Sequence, residues 1–557
     1  MDDEKECRGS SGPVRRMGYT TRMRRRLSIA AAVVLALALA LTAKCSRAMP
    51  EPRHILVVVM DAQRADHLSC YGYARPTSPV LDALAKEGVL FRRAVSQSSW
   101  TLPSMISMYA GKYVADEVMK PPGDAAWMPE LFQKAGYATA GFNSNDLMSA
   151  KEGFGRGFDE FTQPLPEHGS NEPIVDWIRK NAGGKTFTLV HLIEPHDPYD
   201  PPADLIRWTN EKDSLSTERL RWFGEVAKEE GLVDQEASIA AIEKCIGQYD
   251  DEVRACDRRI GEIFDAYKAV GAWGDTAVLI AADHGEGLFT HVLFPIGRRK
   301  RAMEAGEPPT LWNTLLMTHG SHVDRELVHV PLILKAPGLA PAVVEGWVEN
   351  VDVLPTLLEL AGVEAPKGLH GQSLVPIAED PADRSKLREC VVSYTRYNTS
   401  VITQDSMQVI LPSPRGECDF GLAPRVYDLT RDPEGRDDLA ARRTDLLKRA
   451  DACAGAALKN GMLSRPDVVD PKQVEALQTM GYVGGVVDSV REELAAASVE
   501  VLLKKISDPG DCFVRLEAAR ALEGRELSSG ERERLRTLLV KEVSPAIRSQ
   551  VERVLSE

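Results

Sequence analysis

Residues 54–63 read HILVVVMDAQ. The part HILVVVM (54–60) is a continuous apolar, β-branched run bounded by charge at Arg53 and Asp61. A strand with one wet face alternates apolar and polar residues. A run without alternation fits a strand covered on both faces, as in a parallel sheet. Similar runs return at KTFTLVHLI (185–193), TAVLIAA (276–282) and VPLILKA (330–336). Helical patterns lie between them. SPVLDALAKEG (78–88) closes on Gly88, MPELFQKAGYATAGF (128–142) is a helix followed by a short strand, and DVLPTLLELAGV (352–363) is helical. The charged stretch from Asp204 to Lys268 also reads as helix. Strands alternating with helices predict an α/β fold, a mostly parallel sheet with helices on both faces.

The pattern changes after about residue 380. VVSYTRYNTSVITQDSMQVIL (391–411) alternates like antiparallel strands, and RVYDLTRDPEGRDDLA continues as strand and turn. This predicts a smaller C-terminal α+β subdomain over 381–485. GYVGGVVD (481–488) is glycine-rich and marks a linker. Beyond it lie two or three short amphipathic helices, and a DPxxxVRxxAAxAL pattern there resembles one HEAT-type helical repeat. A single repeat cannot bury its own face, so the 486–557 tail is expected to pack on the main body or a partner, or to be a plain helical tail. The catalytic domain is expected over 51–380, preceded by an N-terminal extension over 1–50.

The chain has 557 residues and a net charge of −14. No broad basic face is available to neutralise phosphates, which argues against nucleic acid as a partner. Near the N-terminus Arg22, Arg24, Arg25 and Arg26 precede LSIAAAVVLALALALTA, Leu27 to Ala43. A basic segment before an uncharged run reads as an export signal, or as a retained anchor since the run is just long enough to span a bilayer. Lys44 before Cys45 argues against a lipoprotein. The expected location is therefore periplasmic, extracellular or anchored to the cytoplasmic membrane facing outward. Nine cysteines are scattered without a CxxC pair or zinc spacing. Proximity points to Cys245 with Cys256 as a pair.

In open α/β sheets, sites form at the carboxyl ends of the strands. Asp61 follows HILVVVM directly, and Asp283 and His284 follow TAVLIAA directly. A carboxylate ending a buried strand is costly unless it is paired, hydrogen-bonded or metal-bound. Two such ends suggest convergence on a divalent cation, for which oxygen ligands with one imidazole suit Ca²⁺, Mg²⁺, Mn²⁺ or Zn²⁺. In SSWTLPSMISMYAG (98–111), Pro103 fits a first helical turn, so Thr101 sits near the N-cap. Its hydroxyl is either a helix cap or a metal-activated nucleophile at a helix end that also favours an anion.

From MDAQRADHLSCYGYARPTSPVLDALAKEGVLFRRAVSQSSWTLPSMISMYAGKY onward, the chain resembles the sulfatase family of the alkaline phosphatase superfamily. The likeness continues through TAGFNSN, GFGRGFDEF, HLIEPHDPYDPP, AADHGEG, THGSHVDRELVHVPLILKAPG and GLHGQSLVPI, and spans about residues 52–485. The resemblance implies Asp61, Asp283 and His284 as metal ligands, with Ca²⁺ the expected ion, and Thr101 at the nucleophile. It implies that His196 faces the anion or leaving group, with His191 close by. It places His319 or His322 where relatives bind the anion, and His319 is the one assigned. Three departures stand out. Family members make formylglycine from cysteine or serine in C/S-x-P-x-R, whereas this chain has T101-L-P-S-M105, and threonine cannot be oxidised to that aldehyde. Met105 replaces the arginine, and Ala62 stands where many members have a second aspartate. A threonine adduct must be released by water, as in phosphatases and phosphotransferases of the superfamily. The expected activity is metal-dependent hydrolysis of sulfate or phosphate esters on a small-molecule, glycan or lipid substrate. The alternatives are an envelope phosphotransferase and a non-catalytic binding protein, with the tail as a protein contact.

Overall fold

The computed structural model describes residues 49–556, apart from 115–119, 124, 293–309, 321, 396–397, 413–422, 460–493, 508–517 and 542–544. The apolar N-terminal run, the 481–488 linker and most of the repeat-like pattern lie outside the described residues. The chain divides into two compact units, Met1–Pro50 and Glu51–Glu557, and all the described helices and strands belong to the second.

The main sheet has eight strands: β1 (His54–Met60), β2 (Val89–Val95), β3 (Ala138–Asn143), β4 (Glu160–Thr162), β5 (Thr186–Leu192), β6 (Thr276–Ala282), β7 (His329–Lys335) and β8 (Ala342–Glu349). Their order is β4-β3-β5-β1-β6-β7-β2-β8. β1 is central and every residue of it is buried, which is why its sequence carries no alternation. Both neighbours run parallel to it in flush register: Met60 lies beside Leu192 of β5 and beside Ala282 of β6. The residues that follow these three strands therefore emerge side by side.

β7 departs from the expected direction. It is antiparallel to both β6 and β2, while β2 and β8 are parallel to each other. Its apolar run reads as a buried strand, but burial alone carries no direction. The reversal brings the amino end of β7, not its carboxyl end, to the edge where β1, β5 and β6 finish.

The helices Pro79–Glu87, Met128–Lys134 and Val353–Leu360 form where their patterns place them. The Asp204–Lys268 stretch is helical only from Thr217 to Glu230 and again over Gln235–Ala269. A second, four-stranded antiparallel sheet of β9 (Cys390–Tyr394), β10 (Asn398–Thr403), β11 (Met407–Pro412) and β12 (Arg425–Asp428) forms the expected C-terminal subdomain. In the tail, helices Val499–Ser507, Ser529–Lys541 and Pro545–Ser556 bury Leu502, Leu503, Ile506, Leu535 and Val551 in one cluster.

The cysteine pairing is corrected. Cys245 and Cys256 both lie on the Gln235–Ala269 helix and are free. The helical rise separates them by roughly 16 Å, far beyond disulfide reach. The bond instead joins Cys390 to Cys453, with their Cα atoms 6.5 Å apart. It ties the start of β9 to the Thr444–Lys459 helix.

Among the described residues, no helix is long and apolar enough to cross a membrane.

Candidate active site

Each strand end at the carboxyl edge contributes a polar side chain. Asp61 follows β1, Asn145 follows β3, His196 follows β5, and Asp283 and His284 follow β6. Thr101 comes six residues after β2, and His319 precedes the reversed β7. Asp61, Asp283 and His284 are fully buried, and their ligand atoms lie within 4.8 Å of one another. Thr101 is also fully buried, and its Oγ1 is 3.4 Å from His284 Nε2. Its helix spans Thr101–Ala110 with Trp100 at the N-cap. Thr101 is thus the first helical residue rather than the cap.

Local geometry fixes each group. His284 donates from Nδ1 to the Gly285 carbonyl at 2.8 Å, which turns Nε2 towards the carboxylates, 3.3 Å from Asp61 Oδ1. Gly285 is needed for the turn, because a Cβ there would lie 2.0 Å from the Glu326 carbonyl oxygen. Asp283 Oδ1 accepts from the backbone N–H groups of His284 and Ala62. Asp61 Oδ2 accepts from Asn145 Nδ2 at 2.7 Å. Ala62 sits in the left-handed region at φ 57°, unfavourable for a residue with a Cβ. Tyr249 holds it there by donating to the Ala62 carbonyl and accepting from the Arg64 N–H.

Two oxygens are left over. Asp61 Oδ1 and Asp283 Oδ2 are buried and meet no hydrogen-bond geometry among the described residues, and both face His284 Nε2, at 3.3 Å and 3.5 Å. A buried carboxylate oxygen without a donor is costly, and a divalent cation is the partner this donor set fits. His191, on β5, points the same way. Its Nε2 is 3.8 Å from Asp61 Oδ2 and 3.7 Å from Asp283 Oδ2, too far for hydrogen bonds, and among the described residues neither ring nitrogen is hydrogen-bonded.

The electrostatics agree. Burial pushes the Asp61 carboxyl up, but the His196, His284 and His191 imidazoles outweigh it and hold Asp61 well below the usual carboxylate range. Burial opposes charge on His284, yet Asp283 and Asp61 raise it to about 9. These residues by themselves favour a positive charge at this spot.

His196 donates from Nδ1 to the Asp197 carbonyl at 2.5 Å. Its pKa is raised, with Asp61, Asp197 and Glu286 outweighing burial. His319 is held well below its usual value by burial and by His284 and His196. Its ring lies 4.2 Å from the His284 ring and 5.0 Å from the His196 ring, and its Nδ1 donates to Glu286 Oε1 at 3.1 Å. His322 instead pairs with Asp324 at 3.3 Å.

Three contributors were not legible as single residues. Asn145 lies in TAGFNSN and carries the signal that marked Asp61, a polar residue just past an apolar strand. Glu286 is buried beside His319, and burial raises its carboxyl to about 7. Arg64 grips Asp66 with Nε and Nη2, each at 2.9 Å, and its Nη1 donates to Glu286 O, Gly287 O and Thr290 Oγ1. It ties the turn after β1 to the turn after β6.

Residues 53–363, more than half of the chain, match the family described as Sulfatase. The chain belongs to the sulfatase family. This sulfatase also matches the N-sulphoglucosamine sulphohydrolase C-terminal family over residues 321–411, and like its family it is a hydrolase of sulfate esters. It is 22% identical to arylsulfatase K of Bos taurus over 472 residues, covering 73% of this chain and 81% of that protein. It is 24% identical to the ulvan-active sulfatase of Formosa agariphila over 381 residues, covering 61% and 68%. Among solved structures, it resembles a phosphonate monoester hydrolase of Agrobacterium radiobacter with a TM-score of 0.52 at 19% identity, covering 73% of this chain and 95% of that one. It also resembles a protein solved with its substrate D-glucosamine-2-N,6-O-disulfate, with a TM-score of 0.53 at 20% identity, covering 76% and 100%. These structural likenesses bear on the fold.

Proposed function

We propose that this sulfatase is a divalent-metal-dependent ester hydrolase in which Thr101 is the nucleophile. The observation that carries the reading is Thr101 Oγ1 lying 3.4 Å from His284 Nε2, beside the buried carboxylates of Asp61 and Asp283. Asp61, Asp283 and His284 would hold the ion, which when bound lowers the pKa of a hydroxyl and neutralises the oxygens of an anionic ester. Thr101 supplies the attacking oxygen, and its proton passes to a neutral imidazole, the state in which His319 is held. A bond forms from Thr101 Oγ1 to sulfur or phosphorus as the bond to the leaving oxygen breaks. His196, whose pKa is raised, donates the proton that the leaving oxygen takes. Water then attacks the threonine ester, its proton passes to His196, the bond from sulfur or phosphorus to Thr101 Oγ1 breaks, and His319 returns its proton to that oxygen as the anion is released.

Threonine lacks the aldehyde exit of formylglycine, so the second displacement by water is essential. This widens the substrate class to phosphate monoesters and diesters. Similarity to proteins acting on sulfated sugars supports a glycan or other small-molecule ester. The Cys390–Cys453 bond supports export to an oxidising compartment, with residues 1–50 as signal or anchor.

The test is a rate assay on aryl sulfate, aryl phosphate monoester and aryl phosphate diester with Ca²⁺, Mg²⁺, Mn²⁺ and Zn²⁺, for wild type and Thr101→Ala. We expect the substitution to lower turnover by at least a thousandfold while the thermal midpoint stays within a few degrees. Full activity in Thr101→Ala would refute the nucleophile.

A further inference from the structure

A second group of ligand atoms lies outside the residues assigned to catalysis. Glu167 and His168 follow β4, and Glu252 projects from the Gln235–Ala269 helix. One ligand atom from each lies within 4.8 Å of the others. Glu194, on the loop after β5, stands behind them, with its Oε1 3.5 Å from His168 Nδ1.

Their contacts are unusual for a plain ion-pair cluster. Glu252 is fully buried; its Oε1 accepts from the Asp200 N–H at 2.8 Å, while its Oε2 makes no hydrogen bond. His168 Nε2 is 3.1 Å from that Oε2, yet it too makes no hydrogen bond. The two atoms are close enough to form an ion pair, and against burial Glu252 pulls the His168 pKa up, but they lack the angles of a hydrogen bond. A separation near 3 Å is what adjacent ligands of one cation show when each bond is about 2.0–2.2 Å. Glu194 is likewise fully buried: its Oε1 is taken by Arg259 and the His168 N–H, and its Oε2 makes no hydrogen bond among the described residues. Three carboxylates thus gather around the Arg259 guanidinium and the His168 imidazole, with His196 near Glu167.

We propose that Glu167, His168 and Glu252 form a second divalent-cation site, distinct from the Asp61 centre. Carboxylate oxygens with one imidazole nitrogen favour Mn²⁺ or Zn²⁺. A cation there would join the β4 loop to the long helix, beside the loop on which Glu194 precedes His196 by two residues.

The test counts bound metal on the full chain, stripped with chelator, loaded separately with Mn²⁺ and Zn²⁺, and freed of unbound ion. Wild type, Asp283→Ala, Glu167→Gln and Glu252→Gln are compared by elemental analysis. For at least one ion, wild type should hold two equivalents and each variant one, a twofold fall. Loss of the remaining equivalent in the Asp283→Ala/Glu167→Gln double variant would show that the two sites are separate. Glu167 is exposed, so its variant reads out even where Glu252→Gln disturbs the helix. The proposal is overturned if neither glutamine variant lowers the metal content for either ion, since the cluster is then a protonated His168 within a carboxylate cage. It is equally overturned if wild type holds a single equivalent that Asp283→Ala removes.

Discussion

Asn145 touches the centre through Asp61. It gives one carboxylate oxygen a hydrogen bond and so orients the other. Partners of this kind typically change metal affinity 10–100-fold. We therefore expect Asn145→Ala to weaken divalent-metal binding by about that factor in a calorimetric titration, with the fold unchanged. His329 offers a test away from the centre. Burial first, and then the Arg325 guanidinium, lower its pKa to about 3, and its Nε2 donates to the Arg92 carbonyl at 3.1 Å. A histidine depressed in the native state binds its proton only on unfolding. Its contribution is complete above pH 6.5 and is lost as pH falls from there towards 3, at close to 1.4 kcal/mol per pH unit in mid-window. His329→Gln should flatten the pH dependence of urea-unfolding free energy between pH 6 and 4 by about that slope.

The turn after β6 shows how an element constrains chemistry. Gly285 lets the backbone press against Glu326, and a methyl group there meets a carbonyl oxygen that has no flexible end to move. Gly285→Ala is expected to cost roughly 3 kcal/mol in denaturant unfolding and to displace His284 from Asp61. The legibility of the elements follows the same physics. β1, β5 and β6 could be read because full burial removes polar residues from them. β2 (VLFRRAV) was hidden by Arg92 and Arg93, which lie where the strand reaches the surface, and β8 by Glu345 and Gly346. The direction of β7 could not be read, since an apolar run is the same text in either sense. At the site, Asp61, Asp283 and His284 were legible because charge ended an apolar strand. Arg64 and Tyr249 were not, because the contacts that bring them to the site join residues more than 180 positions apart.

For the whole molecule, metal should act as a folding ligand. An ion that binds the native chain at a hundred times its dissociation constant stabilises it by about 2.7 kcal/mol. Saturating divalent metal should raise the thermal midpoint by a few degrees over chelator-treated protein in scanning calorimetry. Asp283→Ala should lose the share of that rise that the Asp61 centre supplies, and equal midpoints for wild type with and without metal would refute binding at that centre. The reversal of β7 sets a different kind of property. Because β6 and β7 are antiparallel neighbours, the chain between them leaves and re-enters the sheet on a single rim. A parallel pair would have forced that segment across the body of the protein and fixed its minimum length. Here residues can be added or removed with a closure cost that grows only logarithmically. Length can therefore change between the fixed site residues Glu286 and His319, and a change of substrate can be engineered or evolved at that rim without re-threading the scaffold beneath it.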